Sequence, residues 1–412
     1  MKRILMIAYH FPPVRVSSGI QRTLKFSQYL LDYDWRALIL TVKPMAYEKT
    51  SDDQIKEISD QILVKRVFAL DTARHLAVNG RYFHWMSLPD RWVTWCFGGV
   101  FSGLAFIIRY HPKFIWSTYP IATAHLIGLI LHRITGIRWI ADFRDSMTED
   151  NYPENYTKRK IFRWLEQQTI KHCHRAVFTT NGALRMYAER YPGISSDRWV
   201  LIPNGYDEAN FIQAENLISV QKNEKPKPIV LIHSGVLYPS ERDPTAFFQA
   251  LSELIKDKSI NSKEIEIILR ATGHDALIQS MVKEFGLQDI VFIEPSVSYE
   301  SALAEMMTVD GLIIFQASNC NHQIPAKIYE YLRARKPIFA LTDPVGDTAS
   351  VLIDANIDTI SPLDDKNKIK IVFMSYLDAL KKGVAPVADD DYVKIHTREM
   401  RTKLLADLLN ED

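Results

Sequence analysis

The sequence has few cysteines, and none of them forms a recognisable pair. Cys96, Cys173 and Cys320 lie far apart, and the chain contains no Cys-x-x-Cys motif. This pattern argues against a disulfide framework and against a thiolate metal site. It is typical of a protein in a reducing compartment, so we predict a cytoplasmic location.

A long apolar segment is also missing. The longest apolar run, from Val93 to Ile108, is shorter than the about 20 residues that span a bilayer, and it contains Gly98, Gly99 and Gly103. We interpret it as a buried helix of an α/β domain. The run from Ile4 to Ala8 is too short for a signal peptide, so we interpret it as a first strand.

The net charge is small overall but unevenly divided. Residues 1–205 contain 28 Lys and Arg against 17 Asp and Glu, a net charge of +11, and residues 206–412 contain 22 against 32, a net charge of −10. This asymmetry indicates two different partners, or attraction between the halves. The basic residues of the first half are scattered rather than clustered, which argues against nucleic-acid binding.

Short β-branched runs alternate with longer amphipathic stretches, a pattern that predicts an α/β protein with parallel, doubly wound sheets. A polar segment with two prolines, residues 216–228, predicts a linker between two domains. Residues 393–409 predict a final helix. The apolar side chains predicted to share one face of that helix are Ile395, Met400, Leu404, Leu405 and Leu408. Strands are predicted at 4–8, 37–42, 114–117, 139–143, 176–179, 200–202, 229–234, 265–272, 291–293, 311–315 and 337–341.

Ligands of parallel sheets bind beyond the carboxyl ends of the strands, where helix N-termini offer N–H groups. After the first strand, Ser17, Ser18 and Gly19 open a helix, and small residues there allow a ligand to approach the backbone. The alternative is an ordinary loop in which Ser18 caps the helix. A glycine-rich dinucleotide fingerprint is missing from both halves, which argues against a dehydrogenase.

Three charged residues follow the strand at 139–143. Asp145 is a candidate to position or deprotonate an acceptor hydroxyl, and Arg144 is a candidate to hold Asp145 or bind an anion. The alternative is an Asp–Arg pair that only fixes the loop.

The second half also places small and hydroxyl residues beyond its strands, in the pairs Ser234-Gly235, Thr272-Gly273 and Ser298-Tyr299. Tyr299 is a candidate to flank a base, or it is a surface aromatic residue at the start of a helix.

Two cations of the second half are candidates to bind a diphosphate. Arg242 stands just before a predicted helix, and its alternative is a salt bridge with Glu241 or Asp243. Lys327 lies in the first turn of another helix, where a cation opposes the helix dipole unless it meets an anion. Glu330 is three residues further on the same face, so an ion pair with Lys327, worth only tenths of a kcal/mol, is the alternative there.

Together these motifs resemble the retaining glycosyltransferases of the GT-B fold, family 4. The resemblance rests on the order and spacing of four segments: 10–13 with Ser18-Gly19, 142–145, 202–207 and 325–332. It implies two Rossmann-like domains facing across a cleft. Residues 1–205 would bind the acceptor, joined by a C-terminal segment 388–412 that crosses back, and residues 206–387 would bind the nucleotide sugar.

The resemblance also assigns roles to single residues. Glu330 matches the second Glu of the family's Glu-x7-Glu motif and would contact the ribose, whereas the first Glu falls at His322. Arg242 matches the Lys of a phosphate clamp whose Arg would fall near Val236, and we propose that Lys327 supplies the missing charge. The predicted catalytic residues are Asp145, Arg144, Arg242 and Lys327. The predicted nucleotide-sugar-binding residues are Gly19, Ser234, Gly235, Thr272, Gly273, Ser298, Tyr299, Ile324, Pro325, Ala326 and Glu330.

The resemblance implies neither a metal nor another cofactor, because basic side chains, with N–H groups near Gly19 and Gly235, would stabilise the leaving diphosphate. The expected partners are a nucleotide sugar and a saccharide or lipid-linked saccharide acceptor, in polysaccharide or glycoconjugate biosynthesis. Basic and aromatic segments at 81–95 and 158–165 predict peripheral contact with an anionic membrane, or solvated helix faces. Two rival functions are a nucleotide-sugar 2-epimerase and a non-catalytic subunit that binds a nucleotide sugar.

Overall fold

The chain folds into two units, each built on one parallel β-sheet. The computed structural model describes residues 1–15, 19–150, 152–218 and 228–411. Unit 1 contains Met1–Asn204 and Arg398–Asp412, and unit 2 contains Gly205–Thr397. Ser17, Ser18 and most of the predicted linker, residues 219–227, lie outside the described residues.

All strands of the unit 1 sheet are parallel. They are β1 (Lys2–Ile7), β2 (Trp35–Val42), β3 (Leu63–Val67), β4 (Phe114–Thr118), β5 (Arg138–Phe143), β6 (Arg175–Phe178) and β7 (Trp199–Leu201). Their order across the sheet is β3-β2-β1-β4-β5-β6-β7. The strand order therefore reverses beside β1, which is where open α/β sheets bind their ligands.

Helices cover both faces of this sheet. The helices before residue 205 are α1 (Gly19–Tyr29), α2 (Trp95–Tyr110), α3 (Ala122–Thr135), α4 (Tyr156–His172) and α5 (Asn181–Arg190). Along β1, Ile4 and Met6 belong to the core on the α1 side, while Leu5 and Ile7 belong to the core beneath α2 and α3. A strand buried on both faces reads as a continuous apolar run, which explains why these strands are visible in the sequence.

Unit 2 repeats the same architecture with a smaller sheet. Its strands are β8 (Ile229–Ser234), β9 (Ile265–Arg270), β10 (Val291–Glu294), β11 (Gly311–Gln316), β12 (Ile338–Thr342) and β13 (Ile360–Ser361), all parallel, in the order β10-β9-β8-β11-β12-β13. Its helices are α6 (Glu208–Glu215), α7 (Thr245–Lys256), α8 (Asp275–Glu284), α9 (Tyr299–Thr308), α10 (Lys327–Ala334), α11 (Asp347–Asp354), α12 (Lys366–Lys382) and α13 (Asp390–Lys394). Its order reverses beside β8. The predicted α/β class with two doubly wound sheets is confirmed.

The last helix, α14 (Arg398–Glu411), returns to unit 1 and packs against α1. Leu405 and Leu409 enter the core on that side of the sheet. Asn410 Oδ1 accepts a hydrogen bond from Trp35 Nε1, at 3.1 Å. The end of the chain thereby fixes the start of β2.

The C-terminal helix differs from its prediction. The stretch 393–409 is not one helix, because α13 and α14 are separated around Ile395. Val393 is buried in the core of unit 2, whereas α14 packs in unit 1, and one straight helix cannot serve both cores. Residues 388–397 therefore lie in unit 2. The predicted apolar face is wrong as well, because three of its members are exposed: Ile395, Met400 and Leu404.

Among the described residues, no helix has the combination of length and apolar character that crossing a bilayer requires. The predicted buried helix is α2, and only one of its faces is buried. Gly99 and Gly103 pack so closely on α3 that a Cβ at either position would overlap Ile127 or Leu131. Phe97 and Phe101, on the opposite side of α2, are exposed.

Candidate functional site

The carboxyl end of β8 and the start of α10 form a positively charged site in unit 2. Gly235 follows β8 with a φ of +118°, and a Cβ at this position would lie 2.8 Å from Nζ of Lys327. The ammonium group therefore rests directly on the backbone of Gly235. Only glycine combines this dihedral angle with such a close approach at no steric cost.

A buried histidine holds Lys327 in place. Nδ1 of His233 lies 2.9 Å from the carbonyl oxygen of Ile313, and Nε2 lies 3.2 Å from Nζ of Lys327. A carbonyl can only accept, so Nδ1 carries the hydrogen and Nε2 offers a lone pair to the lysine. Burial, and next the charge of Lys327, lower the pKa of His233 well below its ordinary value. The imidazole is therefore a neutral acceptor.

Arg242 is the second cation of this site. Its Nη1 donates to the carbonyl oxygen of Val236 at 2.8 Å, and its guanidinium carbon lies 5.3 Å from the centre of the Tyr238 ring. Its buried Nε has no hydrogen-bond partner among the described residues. Burial, and next the charge of Arg242, lower the pKa of Lys327 well below its ordinary value, while Glu330 opposes this shift.

Neither cation has a carboxylate partner in the described part of the chain. Arg242 forms no salt bridge there with Glu241 or Asp243, and Lys327 forms none with Glu330. Asp243 instead caps α7, because its Oδ1 accepts from the N–H of Thr245 at 2.9 Å. A charged guanidinium beside a lysine whose lowered pKa a bound anion would raise gives this partly buried region a preference for an anion.

Glu330 is held by Tyr299, whose hydroxyl donates to Oε1 of Glu330 at 2.7 Å. The structure thus brings together two predicted residues that lie 31 positions apart. Its neighbour Tyr331 accepts a hydrogen bond from the N–H of Ser234 at 2.8 Å, which attaches α10 to the end of β8. Both contacts fix the face of α10 that carries Lys327.

The backbone donors at the end of β8 are already used within the fold. The N–H of Ser234 donates to Tyr331, and the N–H of Gly235 donates to the carbonyl oxygen of Arg270 at 2.8 Å. Gly235 therefore allows Lys327 to lie close to the backbone, but it offers no free N–H group to a ligand. The positive charge of the site comes from the side chains of Lys327 and Arg242.

The other predicted residues of unit 2 occupy its surroundings. Thr272 is buried and donates to the carboxylate of Asp275, while Gly273 packs against Val236. Ser298 is exposed and caps α9, because its Oγ accepts from the N–H of Ser301 at 3.1 Å. The segment Ile324, Pro325 and Ala326 leads directly into α10.

Unit 1 carries a second cluster, at the carboxyl ends of β1 and β5. Nη1 of Arg144 donates to the carbonyl oxygen of Gly19 at 3.2 Å, and a Cβ on Gly19 would overlap the guanidinium. Glycine is therefore needed at position 19 because the guanidinium of Arg144 occupies the space that a side chain would take. Burial, and next Arg144, lower the pKa of His10 to about 3, so His10 is neutral beside this cation. Asp145 lies next to Arg144 and is exposed.

The neighbouring Asp142 has a structural role. Its buried carboxylate accepts from Nη2 of Arg22 at 2.7 Å and from the hydroxyl of Thr118 at 2.8 Å. Arg22 also donates to the carbonyl oxygen of Pro203 at 3.1 Å. Asp142 with Arg22 is thus an Asp–Arg pair that fixes this region, and Arg144 interacts electrostatically with both Asp145 and Asp142.

A buried carboxylate that the sequence did not reveal supports the loop after β5. Oε2 of Glu166 accepts from the N–H of Thr148 at 3.1 Å and from the Tyr187 hydroxyl at 2.9 Å. Oε1 accepts from Arg190 at 2.8 Å and from the Tyr191 hydroxyl at 2.6 Å.

His233 of unit 2 is also absent from the predicted site residues. Its position at the end of a strand, two residues before a glycine, is a sequence signal that could have identified it.

Comparisons with known proteins agree with this architecture. Residues 58–205 match the glycosyl transferase 4-like domain. The matched region covers β3 to β7 of unit 1 and includes Arg144 and Asp145. A comparison with curated protein sequences gives no match.

Solved structures with the same two-unit fold cover the chain almost completely. Sucrose-phosphate synthase from Thermosynechococcus elongatus is 14% identical, with a TM-score of 0.71 over 100% of this chain and 99% of that one. A trehalose-phosphate synthase from Burkholderia xenovorans is 11% identical, with a TM-score of 0.68 over 99% and 100%. UDP-GlcNAc 2-epimerase from Neisseria meningitidis is 10% identical, with a TM-score of 0.58 over 100% of both chains. The fold is therefore GT-B, which these two synthases and the epimerase share.

Proposed function

We propose that the protein is a glycosyltransferase that moves a sugar from a nucleotide-diphosphate sugar to an acceptor hydroxyl with retention of configuration. Unit 2 binds the donor, and unit 1 binds the acceptor. The observation that supports this proposal is the convergence of Lys327 and Arg242 near Gly235, with no carboxylate partner among the described residues. Two fixed cations suit the two phosphates of a nucleotide diphosphate.

The proposed reaction breaks the bond between the anomeric carbon and the diphosphate oxygen and forms a bond to the acceptor oxygen. Negative charge grows on the departing diphosphate, where Lys327 and Arg242 stabilise it. Both are held before the reaction, Lys327 by His233 and Arg242 by Val236, so little reorganisation is needed. Glu330 holds the ribose, and Asp145 positions the acceptor hydroxyl and takes its proton.

The acceptor is proposed to be a saccharide or lipid-linked saccharide, in the synthesis of a cell-surface polysaccharide or glycoconjugate, at the cytoplasmic side of a membrane. The glycosyl transferase 4-like region and the basic charge of residues 1–205 support this part of the proposal. A positively charged acceptor unit is favoured at an anionic membrane surface, where a lipid-linked acceptor would be found.

The test begins with a thermal-shift panel of nucleotides and nucleotide sugars, because a ligand that binds only the folded state raises the melting temperature. With the donor identified, Lys327→Ala and Arg242→Ala should each lower turnover on the order of 100-fold. Lys283→Ala, an exposed lysine of α8, is the matched control and should keep full turnover. If both site variants are folded and keep wild-type turnover, the proposed role of these cations is wrong.

Product analysis separates the rival functions. A glycoside supports transfer, whereas free sugar with nucleotide diphosphate, or an epimerised sugar, supports an epimerase-like enzyme on this fold. Donor binding without any product, with every acceptor class tried, identifies a non-catalytic subunit.

Because the proposed charge stabilisation comes from side chains, chelation of divalent metals should leave turnover unchanged. The measurement is transfer before and after dialysis against EDTA, with Mg²⁺ restored in a parallel sample. Activity that is lost with EDTA and returns with Mg²⁺ would show that a metal ion, together with Lys327 and Arg242, stabilises the leaving diphosphate.

A further inference from the structure

The outer side of α2 is an exposed apolar surface. Phe97, Phe101 and Ile108 are 75%, 74% and 72% exposed. At 100° per residue these three positions fall within about 40° of one another, so they form one stripe about 16 Å long. We call this stripe the α2 face.

The apolar character of this face is not required by the fold. The opposite side of α2, with Trp95, Gly99 and Gly103, already supplies the contacts to the core. Phe97 and Phe101, at two successive turns, bury little of their surface and are not members of the core clusters of the described residues. Exposed apolar patches of this kind mark interaction sites.

The loop before α2 adds two more exposed aromatic side chains. Phe83 and Trp85 are 71% and 70% exposed, and their rings stack at a centroid distance of 6.3 Å. Hydrogen bonds tie this loop to the start of α2. The N–H of Leu70 donates to Thr94 Oγ1 at 2.8 Å, and Thr72 Oγ1 donates to the carbonyl oxygen of Met86 at 2.9 Å.

Within the sequence segment that carries α2, the exposed charges have one sign. Between Asp60 and Asp142 the only carboxylate side chains are those of Asp71 and Asp90. Both are buried, whereas three arginines of the same segment are exposed: Arg74, Arg81 and Arg109. An anionic lipid surface repels exposed carboxylates, so their absence from this segment favours a lipid surface as the partner. A protein partner would not require that absence.

We propose that the α2 face, together with Phe83 and Trp85, docks into the interfacial region of an anionic lipid bilayer. The phenylalanines and Ile108 enter the boundary between headgroups and acyl chains. Trp85 lies at headgroup level, where the amphipathic indole is favoured, and the arginines pair with lipid phosphates. The protein then rests on the membrane through unit 1 without spanning it.

A second basic and aromatic segment, on α4, is less suited to this role. Its apolar residues Phe162 and Leu165 are buried in the core, which leaves Tyr156 and Trp164 as its exposed aromatic residues. Lys158 and Lys160 lie over the Phe162 and Tyr156 rings of their own helix. This helix therefore presents cations with little insertable surface.

The test is flotation of the full-length protein with vesicles of phosphatidylcholine, with and without phosphatidylglycerol. The wild type should float with the anionic vesicles, less with the neutral ones, and less at high salt. The partition coefficient of the Phe97→Ser/Phe101→Ser variant for anionic vesicles should be at least about tenfold lower than that of the wild type. The Arg81→Gln/Arg109→Gln variant should lose the preference for phosphatidylglycerol.

Two controls make the result specific. Ile371→Ser removes a side chain that is 67% exposed on α12 and should bind vesicles as the wild type does. Trp164→Ser probes the α4 surface and should have little effect. An unchanged melting temperature shows that each variant is folded.

Three outcomes would overturn the proposal. They are no flotation of the wild type, equal flotation of the Phe97/Phe101 variant, and loss of flotation in Trp164→Ser alone. Gel filtration without lipid tests whether a second copy of the chain binds the α2 face instead. A wild-type dimer that is lost in the Phe97→Ser/Phe101→Ser variant would assign the face to that second copy and would also overturn the proposal. None of these assays contains a nucleotide sugar, so their outcome is independent of the proposed transfer reaction.

Discussion

At the scale of single residues, Gly235 joins the backbone of unit 2 to its cationic site. Its φ of +118° is reached readily only by glycine, and Lys327 occupies the space next to it. Alanine at this position costs about 1–3 kcal/mol of stability through backbone strain. It also pushes Nζ of Lys327 away from its present position.

We therefore expect Gly235→Ala to weaken nucleotide-sugar binding by at least about tenfold, or 1.4 kcal/mol. The matched variant is Gly286→Ala, because Gly286 also has a positive φ, +67°, but an added Cβ there would meet no atom of the described residues within 4 Å. It should lose stability and keep its affinity. Isothermal titration with the donor distinguishes the two, and equal affinities would contradict the role of Gly235.

A buried histidine of unit 1 should make stability depend on pH. Burial lowers the pKa of His125 to about 3 from an ordinary value of 6.5, with Asp142 opposing the shift. The unfolded chain then binds the proton first, so stability falls as pH drops below about 6.5 and continues to fall toward pH 3.

For this one group the expected loss is about 1.6 kcal/mol between pH 6.5 and about pH 5. His125→Asn removes the titrating group, so the loss over that interval should shrink by this amount, whatever the variant's absolute stability. Guanidinium unfolding of both proteins at the two pH values gives the difference. If both proteins lose the same free energy, His125 does not drive the acid sensitivity.

At the scale of elements, the network around Glu166 holds α4, α5 and the loop after β5 together. Its carboxylate receives hydrogen bonds from Thr148, Tyr187, Arg190 and Tyr191. The loop it supports begins with Arg144 and Asp145. We interpret Glu166 as a positioning residue for that loop.

Glu166→Gln places an amide N–H₂ among donors and removes the counter-charge of Arg190. Breaking a buried pair in this way should cost about 3–5 kcal/mol. The exposed Glu189→Gln on α5 should cost almost nothing. Limited proteolysis should cut the loop after β5 faster only in the Glu166 variant, and an unchanged cleavage rate would argue against the positioning role.

Elements with long apolar strands were predictable, and others were not. β1, β2 and β8 are rich in buried apolar residues, so their apolar runs predict β8 to the residue and the ends of β1 and β2 to within two residues. β3 is an edge strand interrupted by Lys65 and Arg66, and β13 has two residues, so neither has a detectable pattern. The break between α13 and α14 depends on which core each segment joins, which no local periodicity records.

Some features of the candidate site were likewise predictable from the sequence, and others were not. The proximity of Arg242, Lys327 and Gly235 was predictable, because residues beyond parallel strands gather at one edge of the sheet. The partners His233 and Glu166 were not, because their roles depend on contacts between positions far apart in sequence. The binding roles of all these residues stay predictions.

At the scale of the whole molecule, unit 2 is continuous in sequence and unit 1 is not. Residues 205–397 expressed alone should therefore fold and keep the nucleotide-dependent thermal shift. Residues 1–204 alone lack α14 and leave Leu24 and other core residues uncovered. They should aggregate or melt at a lower temperature, because a large exposed apolar patch promotes association.

A fusion of residues 1–204 to 398–412 provides the control. Nε of Arg401 lies 3.3 Å from the carbonyl oxygen of Asn204, so a short Gly-Ser linker suffices. The fusion should regain solubility and cooperative unfolding by circular dichroism. A soluble, cooperatively folded 1–204 fragment would show that α14 is dispensable.

The return of α14 also determines the order of events during synthesis. Translation delivers all of residues 205–397 before the helix that finishes the first sheet's packing, so the later unit can fold to completion while the earlier one is still waiting. The nascent chain must carry an uncovered apolar surface near Leu24 throughout that interval, and such surfaces promote aggregation. A ribosome that stalled shortly before Arg398 would release a polypeptide in which unit 2 is complete and unit 1 lacks the helix that packs on α1.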